Sequence, residues 1–205
     1  MIPYNQKYCI FDFETEGLNL KYSRPWELSY ILTSGSKVEK QEQIYIDIPD
    51  LNLSKEIIEL TSFDKQKYEA KKVIPETAWK KFSKYLFDQD YILVGQNILR
   101  FDVYMIKILA DIVNEPLDFS FMNRMLDTRP LYLSYKEGLD RPKNSSLLEW
   151  QYKILNDRTI KTKSSQLTML KAFGIDFDKN LLHDALYDCK MSLEIFLQLK
   201  KTLKL

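Results

Sequence analysis

Residues 7–13, KYCIFDF, are almost all apolar, with polar positions only at Lys7 and Asp12. That aromatic and aliphatic content predicts a strand ending before the Glu16-Gly17 turn. WELSYILT (26–33) and QIYIDI (43–48) predict two more strands. The connections are short, one containing Ser34-Gly35-Ser36, and imply an antiparallel meander. Residues 54–88 change character. Pro75 opens a segment in which Trp79, Phe82, Tyr85 and Leu86 recur at helical spacing, with Lys80, Lys81 and Lys84 between them. YILVG (91–95) is a short apolar run of the kind found in a buried strand. It leads through Gln96-Asn97 into Phe101, Tyr104, Met105, Ile108, Leu109 and Ile112, the stripe of an amphipathic helix that ends before Pro116. A last amphipathic helix is expected from about Ala185 to Leu203. Three strands followed by alternating strands and helices imply an α/β fold, a mixed sheet with helices on its faces.

Composition narrows the class. At 205 residues the chain fits one domain, and 45% hydrophobic with 29% charged residues is ordinary for a soluble globular protein. No apolar run approaches the ~20 residues of a membrane span. The first twenty residues lack a signal-peptide pattern, so a cytoplasmic protein without a membrane partner is expected. Cys9 and Cys189 stand far apart, which argues against a disulfide framework or a cysteine zinc site and for two small buried hydrophobes. The net charge of +1 says nothing for a nucleic-acid partner. Locally, Asp140–Lys163 holds Arg141, Lys143, Lys153, Arg158, Lys161 and Lys163 against Asp140, Glu149 and Asp157. With Trp150 and Tyr152 inside it, this stretch is either a surface for a phosphate backbone and a stacked base or a solvated helix and loop.

The chemistry lies in three sets of residues. Asp12 and Glu14, two apart on a strand, point to one face while Cys9, Phe11 and Phe13 take the other. Paired carboxylates repel, and a hard divalent cation offsets that cost; taken alone, such a pair is usually a solvated strand end. Asp102 opens the middle helix, where it favours the helix dipole, faces solvent or joins the pair. His183, the only histidine, precedes Asp188 by five residues in LLHDALYD. Five helical residues turn through about 140°, so the two share a site only if His183 lies in the loop before the helix.

Together, in this order, the sets resemble the DEDD exonuclease superfamily, and the histidine five before the last aspartate places the likeness in the DEDDh (DnaQ-like) branch. The tyrosine of the sister branch stands four before, where this chain has Asp184. The resemblance runs from Tyr8 to about Leu199. Asn97 five before Asp102, with Arg100-Phe101 between, and His183-Asp184-Ala185 are similar to single-strand-specific bacterial exonucleases; the first feature is also similar to animal three-prime repair exonucleases. Many relatives carry a histidine where this chain has Gln96.

The resemblance implies an RNase H-like fold, a mixed five-stranded sheet flanked by helices, forming a single exonuclease domain over 1–205. It implies a 3′→5′ exonuclease that hydrolyses single-stranded DNA to nucleoside 5′-monophosphates with two Mg²⁺ ions, Mn²⁺ substituting. An exoribonuclease and a non-catalytic nucleic-acid-binding module of the same fold are the alternatives, and a polymerase or a replication or repair protein is a conceivable partner. Asp12, Glu14, Asp102 and Asp188 are the implied metal ligands, and His183 the implied general base. Thr15, Gly17 and Leu18, with Asn97, are the implied contacts of the terminal nucleotide. Asp127-Thr128, in MLDTRPL, is expected to start a helix with Asp127 as its cap, and Glu27 and Asp111 are expected to be structural.

Overall fold

The computed structural model describes residues 5–203. Its first three strands are β1 (Lys7–Thr15), β2 (Pro25–Ser34) and β3 (Lys37–Tyr45), an antiparallel meander in which β1 pairs β2 and β2 pairs β3. Helices α1 (Lys55–Thr61), α2 (Lys65–Lys71) and α3 (Pro75–Phe87) follow, then β4 (Tyr91–Gly95), which lies parallel to β1. After α4 (Asp102–Ile112) comes the three-residue β5 (Met125–Asp127), parallel to β4. Helices α5 (Thr128–Glu137), α6 (Leu147–Asn156), α7 (Gln166–Phe173) and α8 (Ala185–Leu203) complete the chain. The sheet order is β3-β2-β1-β4-β5, so β1 is central.

Alternation along β1 divides the core. Cys9, Phe11 and Phe13 pack with Phe82 of α3 and with Val103 and Ile106 of α4 on one face. Tyr8 and Ile10 pack with Leu131 of α5, Met169 of α7 and Cys189 and Phe196 of α8 on the other. Both cysteines are buried and unpaired, as expected. Asp12 and Glu14 continue the second face, so they emerge beside the start of α8. At the end of β4 the chain passes so close to β1 that a Cβ on Gly95 would lie 2.7 Å from the Phe11 carbonyl oxygen and 2.5 Å from Ile98 Cγ2. Only glycine fits there without movement.

The third strand differs from the expected 43–48. It runs from Lys37 to Tyr45, and Ile46 makes only an isolated bridge to Val73. β3 is an edge strand whose first five residues are exposed, so KVEKQ has no reason to alternate; the apolar IYI marks the point where the chain dives under α2. Trp150 is a second difference. It is buried in the α5–α8 core, and the Tyr152 hydroxyl donates to the Leu99 carbonyl at 3.1 Å, so Trp150 is no stacking platform and Tyr152 is tied to the loop before α4. Among the described residues no helix is long and apolar enough to cross a membrane.

Candidate active site

Three of the carboxylates meet. One oxygen from each of Asp12, Glu14 and Asp188 can be chosen so that all lie within 4.8 Å of one another. The central strand presents the first two, and the first turn of α8 delivers the third. Asp184 starts that helix, accepting the Tyr187 N–H at 2.9 Å on Oδ1 and the Asp188 N–H at 2.8 Å on its backbone carbonyl.

Asp102 stands beside the three rather than among them. It is 3% exposed at the start of α4, and its Oδ1 accepts the Phe13 N–H, between Asp12 and Glu14, at 3.2 Å. Burial, with the charge of Asp127 adding, pushes its carboxyl up to about 8. Burial also raises Asp12 well above the usual carboxylate range, and the charges of Asp102, Asp188 and Glu14 raise it further. Glu14 is raised by burial and then by Glu27 and Asp188. Asp188 is pushed to about 7 by burial and Asp184, against an opposing hydrogen bond from the His183 N–H. So much repelling carboxylate in one place is a strong demand for positive charge.

The donor set fits a divalent cation. Asp188 Oδ2 accepts the His183 N–H at 3.2 Å, but its Oδ1 is buried with no hydrogen-bond partner. An orphaned buried carboxylate oxygen facing two other carboxylates is what an oxygen-preferring ion would satisfy.

His183 lies in the loop before α8, the one placement compatible with a shared site, in a left-handed conformation (φ 71°). Partial burial lowers its pKa from the ordinary histidine value, which favours the neutral ring near neutral pH.

The four residues expected to meet the nucleotide fare differently. Thr15 Oγ1 donates to the Gly17 carbonyl at 2.7 Å and so shapes the turn that leaves β1. A Cβ on Gly17 would make ordinary contacts with Ser23 and with Ile57 of α1, so its bare face turns toward that helix. Leu18 is 86% exposed and is not core. Asn97 has a left-handed backbone (φ 61°), and its side-chain carbonyl accepts from Arg129 Nη1 at 2.9 Å. Gln96 Nε2 donates to the Ser164 carbonyl at 3.0 Å and Gln96 Oε1 accepts the Thr128 hydroxyl, so both ends hold the fold together. Asp127 caps α5, as expected, and also accepts the N–H groups of Asn97 and Leu99 at 2.8 and 3.1 Å.

Glu27, expected to be merely structural, belongs to the site's surroundings. It faces Glu14 across the β1–β2 ladder, is 3% exposed, and accepts from Gln43 at 2.8 Å. Burial pushes it up to about 7. A glutamate inside the apolar run WELSYIL was the available signal. Gln166 gave none: its Nε2 donates to the Asp188 carbonyl at 3.0 Å and to Ser192 Oγ at 3.1 Å.

The family model of the RNase T exonucleases matches residues 9–196, which carry all five of the site residues above. The chain belongs to this exonuclease family. Its motifs are those of the DEDDh, DnaQ-like branch. A PolC-type DNA polymerase III from Pediococcus pentosaceus is 29% identical over 191 residues, which cover 89% of this exonuclease-family chain and 12% of the polymerase. E. coli exonuclease I in complex with a dA16 oligonucleotide superposes with a TM-score of 0.74 at 18% identity, covering 97% of this chain and 42% of exonuclease I. Its zinc-bound complex with single-stranded DNA gives 0.73 at 18% identity, covering 96% and 41%. The fold is RNase H-like. The chain spans well under half the length of exonuclease I and about an eighth of the polymerase.

Proposed function

We propose that the chain is a metal-dependent 3′→5′ exonuclease that hydrolyses single-stranded DNA to nucleoside 5′-monophosphates. The observation that carries this reading is the approach of Asp12, Glu14 and Asp188 within 4.8 Å, with one Asp188 oxygen unpartnered. Those three, with Asp102 from α4, hold the cations. Bound there, two Mg²⁺ ions, or Mn²⁺ in their stead, supply Lewis-acid stabilisation of the charge that builds on the phosphodiester during hydrolysis.

The chain's own groups do the rest. His183 takes a proton from the attacking water on a ring nitrogen, for which its lowered pKa is suited. Its backbone N–H donates to Asp188 Oδ2, which ties the loop that carries the imidazole to the ligand cluster. Thr15, Gly17 and Leu18 form the floor for the terminal nucleotide, and Leu18, exposed directly after the metal strand, offers an apolar surface to an unpaired base. A half-buried acidic centre, with an exposed leucine shortly after its strand, favours a frayed or single strand over a duplex. The fold shared with exonuclease I bound to single-stranded DNA supports the same substrate, and the likeness to a PolC-type polymerase leaves a polymerase partner as a lead.

The test is incubation of 5′-labelled single-stranded DNA, single-stranded RNA and duplex DNA with Mg²⁺, Mn²⁺ or chelator, with Asp12→Ala alongside. A ladder shortening from the 3′ end of single-stranded DNA, absent with chelator and in the variant, is expected. Degradation of RNA instead would make the chain an exoribonuclease, and cleavage that survives chelation would reject the metal reading.

A further inference from the structure

An open groove of about 560 Å³ lies between the start of α5 and the segment 161–168, which is the loop before α7 and the first turn of that helix. Its lining includes Arg129, Lys161 and Lys163 and no carboxylate at all. Gln96 and Asn97, from the loop that leads into Asp102, form one wall. Gln166 forms another, and its side-chain amide is bonded to the backbone of Asp188. The groove therefore runs along the loop that leads into Asp102, and Gln166 links it to the backbone of Asp188 on α8.

Its cations form no close ion pair, although the Arg129 charge reaches Asp127, where it opposes the rise that burial gives that carboxyl. Among the described residues Arg129, Lys161 and Lys163 make no salt bridge, whereas Lys7, Arg24, Lys40, Lys72 and Lys81 elsewhere are paired with carboxylates. Lys161 donates only to the Arg158 carbonyl, at 2.7 Å. Asn97 steers the Arg129 guanidinium by accepting from Nη1, and the Arg129 Nε is buried without a partner. A guanidinium is a planar fork of donors suited to a phosphate, and Asn97 fixes the orientation of this one at the groove wall.

An acidic centre also creates the need. A polynucleotide carries one charge per nucleotide, and each phosphate brought toward the carboxylates must be held by something positive. Cations bound among the carboxylates act on the phosphate being cut and leave those upstream unserved.

We infer that this groove binds the sugar–phosphate backbone of the strand upstream of the scissile bond, through Arg129, Lys161 and Lys163, and reads charge rather than base. The inference rests on the exonuclease reading for the direction of the strand, and it gives that reading a substrate requirement: length. A strand long enough to lay phosphates in the groove binds far more tightly than a di- or trinucleotide.

The experiment separates the two ideas by reading binding apart from cleavage. Anisotropy of a 5′-fluorescein oligothymidylate is followed with Ca²⁺ in place of Mg²⁺, from about 50 to 200 mM KCl, for the wild type, for Lys161→Ala/Lys163→Ala, for Arg129→Gln, and for Lys37→Ala/Lys80→Ala, which removes the same charge outside the groove. The groove variants are expected to bind the oligonucleotide about tenfold or more weakly. The double variant's log Kd against log salt should flatten by about 1.4, two single-strand phosphate contacts at ~0.7 each. Melting temperatures report folding for every variant. Unchanged affinity and slope in the groove variants, an equal loss in Lys37→Ala/Lys80→Ala, or no binding by the wild type would each overturn the inference. A strand that binds through the groove but is not shortened in Mg²⁺ would support the groove and count against the exonuclease reading.

Discussion

Replacing Asp188 by asparagine should make the metal-free protein more stable. In the folded state this carboxyl is pushed from an ordinary 3.8 to about 7, so the folded chain keeps a proton that the unfolded chain gives up. The sign follows from linkage: below about pH 4 the carboxyl is protonated in both states and costs nothing, between about pH 4 and 7 the destabilisation grows, and above 7 it is complete. A difference of about three in pKa corresponds to about 4 kcal/mol at most. Protons shared with Asp12 and Glu14 relieve part of that, so a gain of about 1–3 kcal/mol is expected at pH 8, or a melting temperature roughly 3–9 °C higher. Asparagine keeps an acceptor for the His183 N–H and adds no volume. Thermal unfolding by circular dichroism in chelator, at a series of pH values, reads the effect. The excess stability of Asp188→Asn should shrink steadily from pH 7 to 4. Added Mg²⁺ should then raise the melting temperature of the wild type far more than that of the variant, because only the wild type keeps the full ligand set. A variant less stable than the wild type at pH 8 in chelator, or a difference that ignores pH, would refute the electrostatic account of the cluster.

Two further outcomes follow from other parts of the site and fold. His183→Ala should lower the rate on single-stranded DNA by about 10²–10⁴-fold while the Mg²⁺-induced rise in melting temperature survives; in the wild type, activity should fall away as pH drops through the His183 pKa, below the ordinary 6.5, and a rate that increases toward acid would exclude the imidazole as base. Gly95→Ala should cost about 1–3 kcal/mol in chemical denaturation, since the new methyl meets the Phe11 carbonyl oxygen at 2.7 Å and backbone must shift; an unchanged midpoint would mean the close approach of β4 to β1 is relaxed in solution.

What could be read from the chain was what a period makes visible. α4 and α8 are amphipathic, so their apolar stripes give both the element and the face; β1 is buried on both faces and shows as an apolar run, in which the two-residue spacing of Asp12 and Glu14 gives them a common direction. β3 was placed too late because its exposed edge carries Lys37, Glu39 and Lys40, where no burial imposes alternation. β5 has three residues and passes directly into α5, leaving Asp127 to read as a helix cap when it is also the end of a strand. Trp150 and Tyr152 show the limit of composition: a basic stretch says nothing of which side of a helix its aromatics take, and these face inward, leaving Lys161 and Lys163 outside. Glu27 and Gln166 act through partners far away in sequence, Glu14 and Asp188, which no local pattern reveals.

The left-handed backbone of His183 bears on how this chain can vary. A residue at φ 71° is disfavoured for most side chains and free for glycine, so removing the imidazole by His183→Gly relaxes the loop instead of straining it. The resulting protein keeps its N–H bond to Asp188 and gains an opening the width of a ring. On the proposed role of His183 as base, free imidazole in the buffer should restore the variant's activity in proportion to its concentration.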